Sequence, residues 1–248
     1  MSAYSLSGFA LLLVAIMLWM IFSFLRRRTA AVVREIPAFV RLNRALGVSV
    51  EEGTNLHVSL GRGELLTPPG SASFTGLALL RKLVEETSGS DKPLIVTSGD
   101  GVVTILSQDT LRAGYQAAGA GEIYNPTAGR LTGLSPFSYA AGTISAFTDE
   151  QVSAAVMLGH FGSEVALLTD VADRMDALTV AASDEPAAQA VLYASVEDPL
   201  IGEELFAAGA YAGLGKSHEA SLQVQDVLRW IIIVVLLIGS AVKLVGSF

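Results

Sequence analysis

The sequence predicts an α/β fold: a Rossmann-like, mostly parallel sheet sandwiched by helices, flanked by an N-terminal and a C-terminal transmembrane helix. Three observations predict it. Strand-like apolar runs alternate with helix-period segments through the middle of the chain. A loose pattern recurs at 94–118, 154–175 and 177–196, where an apolar run leads through a small polar turn with an acid into a helix. Both ends are long apolar runs that are almost free of charge. The chain therefore divides into an N-terminal span (1–25), a basic amphipathic juxtamembrane segment (26–54), an α/β domain (55–216) and a helix running into the C-terminal span (217–248).

The ends come first. No charge occurs from Met1 to Leu25, and a helix over Ser5–Leu25 would rise roughly 30 Å, enough to cross a bilayer core. Arg26, Arg27 and Arg28 follow at once. A cleavable signal peptide places its positive charges before the apolar stretch, so the order here reads as an uncleaved anchor. At the other end "WIIIVVLLIGSAVKLVGSF" (230–248) carries only Lys243 and would span roughly 28 Å. Lys243 lies near the far end and can snorkel, while Trp230 beside Arg229 suits the near interface. The rival reading is a helix lying on the membrane or buried in the domain; an apolar surface all round favours a span.

Between the ends, residues 29–47 read as an amphipathic helix interrupted near Pro37 and ended at Gly47, with Val33, Ile36, Val40 and Ala45 as its apolar stripe. "NLHVSLGRGELL" (55–66) reads as a strand or a strand with a bulge, and "TPPGSAS" (67–73) as a loop. "FTGLALLRKLVEETSG" reads as a helix with Leu77, Leu80 and Val84 inward. "KPLIVTSGDG" (92–101) is a short strand and turn, and "VVTIL" (102–106) reads as either a returning strand or the first turn of a helix. Ser107 is the expected cap of the next helix. Residues 123–136 are turn-rich, and "FSYAAGTISAF" (137–147) is strand-like.

In the second half "AAVML" is a strand, and "SEVALLTDVADRM" a helix with Val165, Leu168, Ala172 and Met175 on one stripe. "ALTVAA" (177–182) is a strand, followed by a helix with Pro186 in its first turn. A further helix is expected to start with Asp198 as cap and Pro199 at the first position. "SHEASLQVQDVLRW" then runs without a break into the second span.

Hydrophobic residues make up 51% of the 248 and mean hydropathy is +0.52, so a sizeable core is available. The absence of cysteine excludes disulfides, thiol catalysis and thiolate metal sites. Charge is unevenly placed. Residues 26–44 hold six Arg and one Glu, a net of +5; residues 45–216 hold eight Lys/Arg and twenty-one Asp/Glu, a net of −13. A basic collar next to the first span places the domain in the cytoplasm of the bacterial inner membrane, with both termini outside. The collar suits anionic headgroups. The acidic domain repels nucleic acid, and no nucleic-acid role is expected.

The candidate sites lie in the strand-to-helix turns. "GHFGSE" (159–164) has two glycines where a dinucleotide fingerprint needs three, and no lysine for a P-loop. Its Glu164 sits where a phosphate would bind, and equivalent turns carry Asp100 and Asp184/Glu185. Acids at helix starts are favourable against the dipole but repel phosphate unless a metal bridges them. The structural reading is that these acids and Ser163 cap helices while the glycines permit close packing. In the functional reading Asp100, Glu164, Asp184 and Glu185 converge on a divalent cation or an amine; oxygen-only ligands would select Mg or Ca. His160 could then act as a base beside Ser163 or Asp184, although no G-x-S-x-G elbow exists. Arg62 and Arg130 are anion-binding candidates or salt-bridge partners.

Taken with both spans, the segments "SLGRG", "VTSGDG", "RLTGLSPFSYAAG", "FGSEVALLTD", "AASDEPAAQAVLYA" and "PLIGEELFAAGAYAG" resemble a bacterial two-span membrane family classed as a domain of unknown function. The resemblance covers roughly residues 55–248. It implies a self-contained cytoplasmic domain between two spans and implies no activity, cofactor or catalytic residue.

The expected function is a non-enzymatic, membrane-anchored module that self-associates as a scaffold. Its expected partners are the lipid bilayer and further copies of itself, and no cofactor is expected. The alternative is a small-ligand or divalent-cation sensor, or a metal-assisted hydrolase, using the acidic turns.

Overall fold

A computed structural model describes residues 13, 14, 16–18, 20, 21, 35–67, 70–90, 92, 94–211, 213 and 216–245. The chain forms two units, one of Arg34–Ala212 and one of Met1–Val33 with Gly213–Phe248.

The Arg34–Ala212 unit is built on a five-stranded sheet. Its strands are β1 (Asn55–Gly61), β2 (Ile95–Ser98), β3 (Gly129–Leu131), β4 (Val152–His160) and β5 (Leu178–Ser183), in the order β3-β2-β1-β4-β5. Every pairing is parallel. The expected Rossmann-like sheet is therefore present, with its reversal of strand order between β1 and β4.

Parallel strands require crossovers, and helices supply them on both faces. Leu56, Val58 and Leu60 of β1 face one side, with α1 (Pro37–Glu52), α2 (Gly70–Thr87), α3 (Gly101–Ala117) and α7 (Glu204–Tyr211) packed in the same cluster. Ala155 and Met157 of β4 face the other side, packed with α4 (Pro136–Asp149), α5 (Val165–Arg174) and α6 (Pro186–Ser195). The register between β1 and β4 shifts at Ser153, so Val152 joins the second cluster and Ala154 the first. Phe39 stacks on Tyr211 with ring centroids 4.7 Å apart, which places the two chain ends of this unit side by side.

Several expectations are corrected. Pro37 does not interrupt a helix; it opens α1, where its missing N–H costs nothing, and α1 runs through Gly47 to Glu52. Its buried stripe is Ile36, Phe39, Leu42 and Leu46, with Val40 half exposed. Part of the segment read as juxtamembrane thus belongs to the core. The loop read at 67–73 gives way to α2 from Gly70. Residues 102–106 are helical: Asp100, not Ser107, caps α3, its side chain accepting from Val103 N at 2.9 Å. The segment 137–147 is helix α4, not a strand. Ser135 and Ser138 form a reciprocal capping box and Pro136 occupies the first turn. Asp198 and Pro199 start no helix; Leu200 bridges to Ala182 beside β5, and α7 begins at Glu204.

In the other unit, α8 (Lys216–Val245) is one uninterrupted helix of 30 residues, as expected. Its segment Glu219–Leu237 is long and apolar enough to cross a membrane. Ile231 to Leu237 are all exposed. The expected N-terminal span falls mostly outside the described residues; those described between 13 and 21 are helical.

Candidate functional site

In a doubly wound sheet, ligands enter the crevice at the carboxyl ends of the strands where the order reverses. Here that place lies between β1 and β4. Backbone fills it. Gly61 has a left-handed backbone (φ +69°), and a Cβ there would overlap the backbone of His160. Gly159 lies so close against Leu60 that it too admits no side chain. Arg62 N donates to the His160 carbonyl at 2.8 Å.

The side chains complete the closure. Glu164 is 4% exposed, and its Oε1 accepts from Arg62 Nε at 2.8 Å and Gly162 N at 3.0 Å. Burial alone would raise the Glu164 carboxyl; Arg62 and the Gly162 N–H outweigh it and hold the carboxyl below its ordinary range. Arg62 is thus the salt-bridge partner of an acid 102 residues away. The turn after β1 reads Gly61-Arg62-Gly63 and lacks a glycine at position 66. A pyrophosphate would meet the Glu164 carboxylate here.

The remaining predicted residues are spread along the same edge in strand order. Asp100 follows β2 and caps α3. His160 ends β4, and its Nδ1 lies 2.7 Å from Asp184 Oδ1 after β5; both side chains are partly exposed. Glu185 precedes α6 without a side-chain cap, its N–H donating to Ser183 Oγ at 3.2 Å. Ser163 is exposed and caps nothing: α5 starts at Val165, and Glu164 occupies the cap position without a side-chain hydrogen bond to the helix. Two expectations therefore change. Ser163 does not cap a helix. The acids do not converge: among the described residues no three His, Asp or Glu side chains are placed to hold a metal ion.

A second polar cluster escaped the sequence reading. His57, Ser59 and Thr97 point from β1 and β2 toward α4, all fully buried. Ser59 Oγ and Gly61 N meet the Tyr139 hydroxyl, and His57 Nε2 lies 3.1 Å from Thr97 Oγ1. Burial pushes Tyr139 up, against the opposing hydrogen bonds of Ser59, Thr97, Gly61 and Thr143. Burial, reinforced by the positive charge of Arg130, pushes His57 down to about 3. His57 and Tyr139 are therefore neutral, and they bind α4 to the sheet. The alternation His57-Val58-Ser59-Leu60 was the available signal.

Of the interface residues, Arg26, Arg27 and Arg28 lie outside the described residues. Arg229 lies 3.7 Å from Asp226 on α8, Trp230 is exposed beside it, and Lys243 lies in the last turn.

Residues 3–248 match the model of a family described as Domain of unknown function (DUF6754), and the chain belongs to that family. No curated protein and no solved structure matches it.

Proposed function

We propose that this chain is a membrane-anchored, self-associating structural module at the cytoplasmic face of a bacterial inner membrane. Both ends serve as spans and both termini lie outside. The observation that carries the reading is the set of large apolar side chains that the Arg34–Ala212 unit leaves in solvent, among them Leu66, Phe74, Leu134 and Phe137. Exposed apolar groups that form one patch mark contact surfaces, and Leu134 and Phe137 lie three residues apart at the start of α4. Two facts support it. The residues of α8 from Ile231 to Leu237 are exposed whichever way they point, which suits lipid on all sides. The crevice between β1 and β4 is closed by its own backbone and by the Arg62–Glu164 pair, which suits a packing body.

Gentle detergent extraction with sizing tests self-association: particles of several chains are expected, and a strictly single-chain particle would overturn it. Protease added outside intact cells should leave the domain whole; its removal would invert the orientation.

The His160–Asp184 pair favours a second reading, a small-ligand site on the carboxyl edge. An aspartate on Nδ1 orients the ring and leaves Nε2 to a ligand. Thermal-shift screening with divalent ions and nucleotides tests it. A ligand-dependent shift that Asp184→Ala removes would support it, and no shift with any of them would eliminate it.

A further inference from the structure

We infer that copies of this chain meet at the β3 side of the sheet, about a two-fold axis. The contact surface is formed by Val102, Ile105 and Leu106 of α3, Leu131 of β3, and Leu134 and Phe137 at the start of α4. This rests on the self-association reading and names the face it uses.

The two edges of the sheet differ. Along β5, Leu200 adds a bridge to Ala182. Along β3 no further strand pairs among the described residues. The Gly129 carbonyl on this short edge is already taken by Gln108 of α3, so side chains rather than an added strand make the contact. The side chains flanking this edge are the wrong kind for water. Ile105 is 65% exposed, Leu134 72% and Phe137 73%. Gln108 of α3 donates to the Gly129 carbonyl at 2.8 Å, so Ile105, one turn earlier, and Leu131, two residues on, belong to one surface. Each of the six residues is at least 36% exposed, and together they leave on the order of several hundred Å² of apolar surface, the size of patch that marks a contact site.

Charge selects a second copy as the occupant. Residues 45–216 carry a net −13, so most faces of the domain repel their own copies. A two-fold contact sets a surface against itself, and a surface of one sign would repel itself. At this face Arg112 lies 3.0 Å from Asp109 and Arg130 pairs with Glu150 within each copy, and Asp100, two residues before Val102, is engaged as the α3 cap.

The chain has no cysteine, which makes crosslinking clean. Val102→Cys, Ile105→Cys, Leu131→Cys and Leu134→Cys in the full-length chain, treated in native membranes with a short bis-maleimide, give the readout. At least one should form covalent dimer about tenfold above Tyr193→Cys, an exposed control on α6, because docking raises the effective concentration. The double variant Leu134→Asp/Phe137→Asp, with unchanged far-UV circular dichroism, should run in mild detergent as a single chain. A multi-copy wild type whose size the double variant leaves unchanged, with no crosslink above the control, overturns this face and spares self-association. A single-chain wild type overturns both. Vesicle binding that the double variant abolishes, without crosslinks, assigns the face to lipid and overturns the inference.

Discussion

Acidification should weaken the α/β unit through His57, and the size of the effect follows from its surroundings. The ring has no solvent exposure, lies 4.5 Å from the Phe147 ring between centroids, and bonds Thr97 through Nε2, while Nδ1 has no partner. A proton on Nδ1 would be buried without an acceptor, and the folded-state value falls from 6.5 to about 3. As pH drops, the unfolded chain therefore protonates first. The stability His57 contributes is whole above pH 6.5 and drains away as pH falls toward 3. Each pH unit in that window is worth about 1.4 kcal/mol, so moving from pH 7 to pH 5 costs about 2 kcal/mol from this group alone. Urea denaturation of the full-length chain in micelles, followed by far-UV circular dichroism, measures it; Trp19 and Trp230 both lie in the apolar ends, where their emission would report the other unit. The wild-type stability minus that of His57→Gln should be flat above pH 7 and fall by about 2 kcal/mol at pH 5. A difference independent of pH between 7 and 4 would refute a neutral, buried His57.

Other substitutions probe the closed crevice and the helix starts. Glu164→Gln leaves Arg62 without its carboxylate and should cost about 2 kcal/mol at neutral pH. Because that carboxyl titrates below its ordinary range, the stability it supplies is present above that range and lost as pH falls through it, so the variant's deficit should shrink below about pH 4. Gly159→Ala forces a methyl into the Leu60 backbone and should cost about 3 kcal/mol in urea denaturation, whereas Gly89→Ala, with open space around it, should leave the midpoint almost unmoved. Ser135→Ala removes the α4 capping box and should lower stability by about 1 kcal/mol in the same assay.

The sheet was legible where apolar runs are long and bounded. β4 and β5 are such runs, and Val165, Leu168 and Ala172 mark α5 by helical spacing. α4 was misread because Phe137, Tyr139 and Phe147 are strand-favouring types, whereas the helix is set by two serines and a proline at its start. β3 was missed because three residues, one of them glycine, carry too little pattern. Val102–Leu106 is ambiguous in sequence because its helical state is set by the Asp100 carboxylate, which accepts from Val103 N. The site follows the same logic. The candidate acids do line one edge of the sheet, as parallel topology requires. What each acid touches depends on partners far away in sequence: Arg62 for Glu164, His160 for Asp184. No local spacing encodes those pairs; the first closes the crevice between β1 and β4, and the second holds a partly exposed histidine at the same edge.

The central claim is that these chains work as assemblies held in a membrane, and counting copies tests it most directly. Native mass spectrometry of the full-length chain, released from lipid nanodiscs, should give masses of two chains or a higher multiple. A single-chain mass at every loading, with helix content intact, would contradict the account.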